Sequence, residues 1–232
     1  VIYTFCSVSA CADGQYPEAG LAMDAKHNLY GTTYQGGVKG CYMGFGCGTV
    51  FELSPQSGGG WNETVLHQFA STGAGNGAYP NLGTLILSTR QVGKTKEGVI
   101  FGITFEDGTS GFGTVFEMVQ AKKGYTFTVL HSFAGSGGDG GWPLGMLFNE
   151  KGKLVGTTLI GGSGGYGTIF ELTNAKGKKK ESWTENVIYS FTNGSDGGYP
   201  ESGVLAGSNG DLYGVASAGG NNGYGVVYTV TP

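Results

Sequence analysis

Four turns in this chain place a short oxygen-bearing side chain, an aromatic ring and a proline at a fixed spacing. They are Asp13, Tyr16 and Pro17; Asn76, Tyr79 and Pro80; Asp139, Trp142 and Pro143; and Asp196, Tyr199 and Pro200. A ring beside a carboxylate is a common way to hold a sugar, because the ring stacks on C–H groups while the carboxylate accepts hydroxyl hydrogen bonds. That chemistry makes Asp13, Tyr16, Asn76, Tyr79, Asp139, Trp142, Asp196 and Tyr199 the candidate ligand-binding residues, with a glycan or surface polymer as the partner. The same turn also serves structure: proline sets φ, Asp or Asn closes an Asx-turn, and the ring packs between repeats. Its presence in every copy favours that use, since a fold needs each copy and a single site does not. The four oxygen-bearing side chains could also line a narrow axis and hold a structural Ca²⁺; no other cofactor is expected.

The remaining polar residues give no catalytic assignment. Glu52, Glu117 and Glu171 recur in a Gly-Thr-Val-Phe-Glu-like run, but hydrolytic carboxyl pairs sit about 5–9.5 Å apart. Equivalent residues on different repeats are expected farther apart, in hydrogen-bonding roles. His67 and His131 occupy the position that Tyr3 and Tyr189 hold in other copies, which reads as packing with a polar tip. His27 is the third histidine. No Ser/His/Asp constellation or zinc signature is present, and the Gly-x-Gly strings precede strands, whereas a dinucleotide fingerprint opens a helix. A glycan hydrolase or lyase is a rival that draws on fold-level analogy alone.

The elements that must position these turns are written four times. Val1-Ile2-Tyr3-Thr4-Phe5 recurs at Val65–Phe69, Val129–Phe133 and Val187–Phe191, giving segments 1–64, 65–128, 129–186 and 187–232. Each copy is followed by the Asp/Asn-Gly-x-aromatic-Pro turn, a Leu-Tyr-Gly-Thr-like run and the Glu-bearing run. Strands are expected over Gly20–Ala25, Leu29–Tyr34, Thr49–Ser54 and Trp61–Phe69 in the first repeat. In the last of these, Trp61, Glu63, Val65, His67 and Phe69 alternate on one face. Turn signals at Lys151-Gly152 and Asn209-Gly210 suit hairpins between first and second strands. The last repeat stops after its third strand, Gly225–Val230, and the chain starts with an orphan fourth strand. The expectation is one all-β domain over 1–232, a four-bladed β-propeller closed by Val1–Phe5 pairing with the last blade. A five-bladed ring is the alternative.

The run Asn28-Leu29-Tyr30-Gly31-Thr32-Thr33, then Gly36-Gly37, then Cys47-Gly48-Thr49-Val50-Phe51-Glu52-Leu53, resembles the Gloeo/Verruco repeat found in tandem in bacterial surface and secreted proteins with varied C-terminal anchors. The resemblance covers nearly the whole chain. It implies an extracytoplasmic propeller-like repeat protein and implies no catalytic residues. The second copy departs most, with an insertion over Thr84–Ile103 carrying Arg90, Lys94 and Lys96, and the fourth has Thr229 in place of the glutamate.

Composition agrees with a folded all-β chain. Glycine is 48 of 232 residues, yet it lies between regular apolar runs, so it reads as turn chemistry and not as disorder. A net charge of −4 and no basic stripe argue against nucleic acid; the one basic cluster, Lys176–Lys180, reads as a solvated loop. No apolar run approaches the ~20 residues of a membrane-spanning helix. Cys6/Cys11 and Cys41/Cys47 lack zinc-type spacing and a nearby His, so two local disulfides are expected, and with them an oxidising compartment, secreted or cell-surface. Self-association through the rim, as in a surface fibre or a longer repeat protein, is a further expectation. Asn62-Glu63-Thr64 and Asn193-Gly194-Ser195 match the glycosylation sequon.

Overall fold

The computed structural model describes residues 1–41, 44–70, 75–80, 83–92, 94–148, 152–174 and 183–232. The Lys176–Lys180 cluster and Lys151 lie outside them. Four antiparallel sheets follow one another along the chain. The first contains β1 (Ala22–Met23), β2 (Leu29–Thr33), β3 (Thr49–Pro55) and β4 (Trp61–Gln68). The second contains β5 (Ile86–Val92), β6 (Thr95–Thr104), β7 (Thr114–Gln120) and β8 (Tyr125–Ser132). The third contains β9 (Gly140–Phe148), β10 (Leu154–Gly161), β11 (Thr168–Asn174) and β12 (Trp183–Ser190). The last has three strands, β13 (Leu205–Ala206), β14 (Leu212–Ala216) and β15 (Val226–Val230). The insertion in the second repeat is the long β5–β6 hairpin, where Arg90 on β5 forms an ion pair with Glu117 on β7.

Within each sheet the second strand carries a glycine because the third strand's aromatic ring lies across it. A Cβ on Gly31 would stand 2.6 Å from the Phe51 ring, and one on Gly102 would stand 2.3 Å from Phe116. The rings fill that space and are buried: Phe51, Phe116 and Phe170 are almost wholly inaccessible. A threonine pair closes the far end of the same two strands, with Oγ1–Oγ1 distances of 2.8 Å for Thr33–Thr49, 2.9 Å for Thr104–Thr114 and 2.8 Å for Thr158–Thr168. These buried hydroxyls satisfy one another, so they can sit in an apolar layer without the penalty of an unpaired polar group.

The fourth strand departs from simple alternation. In each complete sheet the register shifts at one point: Val50 faces His67 but Phe51 faces Val65, leaving Leu66 as the extra residue, and β7–β8 and β11–β12 repeat the shift. A bulge of this kind re-aims the side chains beyond it. Trp61, Glu63, Val65, His67 and Phe69 therefore do not share one face. Glu63 is turned toward the charge of Asp13 at the start of its own repeat, while His67 stacks at 4.0 Å on Phe127 of the next sheet and Phe69 packs against Phe116 there.

Consecutive sheets stack through three hydrophobic cores, between first and second, second and third, and third and fourth. The expected fourth junction is not formed. Residues 1–5 belong to no strand, and β15 is the edge of a three-stranded sheet. The N-terminal segment is held by its own repeat instead: the Tyr3 hydroxyl donates to Asp13 at 2.9 Å, and the Phe5 ring lies 4.8 Å from Phe51. Those contacts anchor one side of the segment and leave its backbone unpaired. The structure is thus an all-β succession of blade-like sheets in which Val1–Phe5 does not pair with β15.

Candidate functional site

The Asp/Asn-Gly-x-aromatic-Pro turn sits where one sheet hands over to the next. Its carboxylate reaches back to the strand that precedes it. Asp196 accepts hydrogen bonds from the Tyr189 hydroxyl at 3.1 Å, the Thr192 hydroxyl at 2.5 Å and the Thr192 N–H at 2.9 Å. Asp13 accepts from the Tyr3 hydroxyl, the Ser7 hydroxyl and the Ser7 N–H, each at 2.9 Å. Asp139 accepts from the N–H groups of Ala134 and Gly140, both at 2.7 Å, with His131 Nε2 at 3.3 Å. Burial would raise the carboxyls of Asp13 and Asp196, but these donors outweigh it and hold both below the usual aspartate range. Tyr and His are interchangeable in the fourth strand because either can present a polar atom to this carboxylate. In the second repeat the pairing lapses: His67 Nε2 and Asn76 Oδ1 are both buried without a hydrogen-bond partner.

The aromatic residue of the turn faces the preceding sheet. Tyr16, Tyr79, Trp142 and Tyr199 all adopt positive φ, between 56° and 58°. That conformation is costly for a bulky residue and persists only where its surroundings fix it. The fixing contacts are visible in three copies. The N–H groups of Tyr79, Trp142 and Tyr199 donate to carbonyls of the preceding repeat, at Cys47 (2.9 Å), Phe112 (2.8 Å) and Tyr166 (2.8 Å). Their rings lie against Tyr34, Phe105 and Tyr166 of that repeat. The following prolines close on a glycine there: a Cβ on Gly48, Gly113 or Gly167 would come within 2.6–2.7 Å of Pro80, Pro143 or Pro200. Tyr16 is 59% exposed, against 4% for Tyr79. The turn is therefore a staple between sheets, with its ring most accessible at the N-terminal end.

The four expected site carboxylates and amides do not converge. The three carboxylates are each bound into their own repeat, and among the described residues Asp13, Asp139 and Asp196 form no common group of potential metal ligands. The group that does form is His131, Asp139 and Glu185, whose ligand-capable atoms lie within 4.8 Å of one another. Glu185 is contributed by the fourth strand of the next sheet, β12. Its counterpart on β4, Glu63, faces Asp13. Burial first, and then the neighbouring Asp13 charge, pushes Glu63 up to about 7. Burial and then Asp139 likewise raise Glu185, against a smaller opposing effect of His131. One oxygen of each glutamate is buried with no hydrogen-bond partner. Sequence reasoning passed over both, because the bulge that re-aims this half of the strand has no residue signature; the visible signal was a glutamate four positions before the histidine or tyrosine, on β4 and again on β12.

The third-strand glutamates are occupied within their own sheets, Glu52 with Ser54 at 2.8 Å, Glu117 with Arg90 and Glu171 with Lys153 at 2.7 Å. Both expected disulfides are formed, Cys6–Cys11 and Cys41–Cys47. The second is buried, and the Cys47 carbonyl is the one that receives Tyr79. Asp196→Ala is expected to untie the last turn and cost about 1–3 kcal/mol, as loss of a charged acceptor with several donors does; urea unfolding at pH 7 measures it, and a change below a few tenths would refute the tether.

These features define a class: a repeat protein in which each sheet is stapled to its predecessor by one recurring turn. The chain belongs to the family of the Gloeobacter/Verrucomicrobia repeat, whose model matches residues 87–232. No curated protein sequence matches it significantly. Among solved structures it is similar to an endo-arabinase from Bacteroides thetaiotaomicron, at 12% identity and a TM-score of 0.31, with 99% of this chain and 98% of that one covered. A likeness that loose says nothing about the chemistry of this chain. No helix among the described residues is long and apolar enough to cross a membrane.

Proposed function

We propose that the chain is an extracellular scaffold and binding module, with carbohydrate as its ligand class. The observation that carries the scaffold reading is that the recurring polar groups are spent on joining sheets: the Asp carboxylates on their own strands, the aromatic N–H groups on the preceding repeat. Two disulfides in loops of the first repeat suit an oxidising compartment. The carbohydrate reading rests on the rings that remain accessible, Tyr16 above all and in part Trp142 and Tyr199. Such rings can stack on sugar C–H faces, with the nearby backbone and side-chain polar groups completing recognition.

A glycan array probed with wild type, Tyr16→Ala and Trp142→Ala tests this. Loss of about one interaction's worth of affinity, roughly 10-fold, is expected in at least one variant. Undiminished binding in both would remove the turn as the ligand site.

A hydrolase or lyase is favoured by one feature, the apposition of Asp139 and Glu185 oxygens beside His131, where burial and then the Asp139 charge raise the Glu185 carboxyl above its ordinary value. A panel of soluble polysaccharides scored for reducing-sugar or unsaturated-product release separates the two readings. Turnover abolished by Glu185→Gln supports the enzyme, and binding without turnover supports the module.

A further inference from the structure

Three positions recur where one repeat meets the next: the Tyr or His before the turn, the Asp or Asn of the turn, and one residue of the following fourth strand. The third position is Glu63, Phe127 or Glu185, which hold equivalent places in their sheets, opposite Leu53, Met118 and Leu172. The first trio is Tyr3, Asp13 and Glu63, in which the phenol donates its proton to the aspartate. The second is His67, Asn76 and Phe127, in which the Phe127 ring stacks on the imidazole at 4.0 Å. The acid of the turn and the acid of the strand are thus replaced together. Among the described residues, the third trio alone, His131, Asp139 and Glu185, joins an imidazole to two carboxylates.

The geometry of that trio suits a metal ion. Its ligand-capable atoms lie within 4.8 Å of one another, and His131 Nε2 stands 3.3 Å from Asp139 Oδ1. Two ligands each about 2.1 Å from a tetrahedral ion stand about 3.4 Å apart, so this pair already spans one edge of such a polyhedron. Rotation of the Glu185 side chain brings in the third ligand. The Asp139 carboxylate is oriented from behind, by the Ala134 N–H on Oδ2 and the Gly140 N–H on Oδ1, both at 2.7 Å. Supporting hydrogen bonds of this kind orient ligands in metal sites. The His131 ring is set edge-on against Phe133, with centroids 4.7 Å apart. Glu185 Oε1 is enclosed and has no hydrogen-bond partner, and a carboxylate oxygen taken out of water needs a donor or a cation. The site is nonetheless reachable: the His131 and Asp139 side chains are 21% and 19% exposed, which leaves an entry path and room for water. One imidazole beside two carboxylates favours a transition ion such as Zn²⁺ over Ca²⁺ or Mg²⁺, which take all-oxygen sets.

We propose that His131, Asp139 and Glu185 bind one divalent transition-metal ion of the Zn²⁺ type, with water completing its shell, and that the ion clamps the second sheet to the third. His131 comes from β8, Asp139 from the turn that follows it and Glu185 from β12. The ion gives the enclosed Glu185 oxygen a partner and offsets the repulsion between two neighbouring carboxylates. The first trio is not a second such site. Glu63 has an enclosed oxygen too, but the Tyr3 phenol carries its proton and offers nothing like the lone pair of an imidazole nitrogen. Because the ligands come from two repeats, their spacing matches no short metal motif. The inference rests on neither the carbohydrate nor the enzyme reading.

Zn²⁺ titration of the untagged full chain, stripped with EDTA and dialysed, tests it by calorimetry and thermal unfolding. Binding of about one Zn²⁺ per chain is expected. The melting temperature should rise with Zn²⁺ concentration, as it does for a ligand of the folded state, and should not rise with equal Mg²⁺ or Ca²⁺. His131→Tyr is the sharpest variant, because Tyr189 and Asp196 show that tyrosine fits this position and keeps the bond to the aspartate. It should keep the wild-type circular dichroism and bind Zn²⁺ more weakly by about 10-fold or more. Glu185→Gln should do the same, while Glu63→Gln should bind Zn²⁺ as wild type does. No saturable Zn²⁺ binding by wild type would overturn the proposal. So would equal binding by wild type, His131→Tyr and Glu185→Gln, which would put the ion elsewhere, or a rise with Ca²⁺ that matches the rise with Zn²⁺.

Discussion

Replacing Phe116 by alanine is expected to cost about 3–5 kcal/mol, the range for removing a fully enclosed phenylalanine. The ring is 0% exposed and lies between Phe69, 5.5 Å away just past the end of β4 in the preceding sheet, and Phe127 at 5.2 Å. It also underlies Gly102, whose missing side chain cannot move in to fill the space. For a domain whose whole stability is about 5–15 kcal/mol, that loss removes much of the folded population at 37 °C. Phe5 is the positional counterpart of Phe69, yet it is only half-buried. Phe5→Ala is therefore expected to cost about 1 kcal/mol, by the smaller area withdrawn from water. Urea unfolding of both variants at low protein concentration measures the contrast. Equal losses would mean that the N-terminal segment is packed as firmly as the inner junctions, contrary to its exposure.

Glu63→Gln is expected to stabilise the protein at pH 8 by about 1–2 kcal/mol, after discounting for partial solvation. Burial and the charge of Asp13 push Glu63 up to about 7, above its ordinary 4.5. Between those values the folded chain holds a proton that the unfolded chain has released, so folding stability declines as pH rises through the window and stays lower above it. Glutamine removes that penalty and keeps the shape, so wild type and variant should converge near pH 4. His67 acts in the opposite sense. Burial lowers it from 6.5 to about 4, so the unfolded chain takes up a proton first and stability is lost as pH falls across that interval. In wild type the two slopes offset each other; in Glu63→Gln the acid loss from His67 stands alone and the profile steepens. Thermal unfolding from pH 4 to 8 tests both signs, and a variant less stable than wild type at pH 8 would sink the account of Glu63.

The repeat was legible because each copy must solve the same local problem with the same residues. Glycine under the third-strand ring, the paired threonines and the turn proline are recognisable from type and spacing alone, and the strands fall where alternation puts them, within a few residues. The use of Tyr or His before the turn was legible as packing with a polar tip, and the structure supplies the partner, the turn's own carboxylate in three repeats. Less legible was the direction of the fourth strand's first half. Period-2 alternation predicts a single face for Glu63 and His67; one bulged residue, Leu66, separates them onto neighbouring junctions.

The sequence by itself determined the unit: four copies, all-β, disulfide-clipped in the first repeat, each copy carrying an aromatic turn. These follow from short-range sterics and polar satisfaction, which act over a few residues and leave a pattern in the letters. Only the tertiary structure decided what the turn is for and how the ends stand. Whether a carboxylate faces a ligand or its own backbone depends on which donors reach it, and the aromatic ring's role depends on the sheet before it. Whether residues 1–5 join β15 depends on two surfaces far apart along the chain, which no local pattern of residues records.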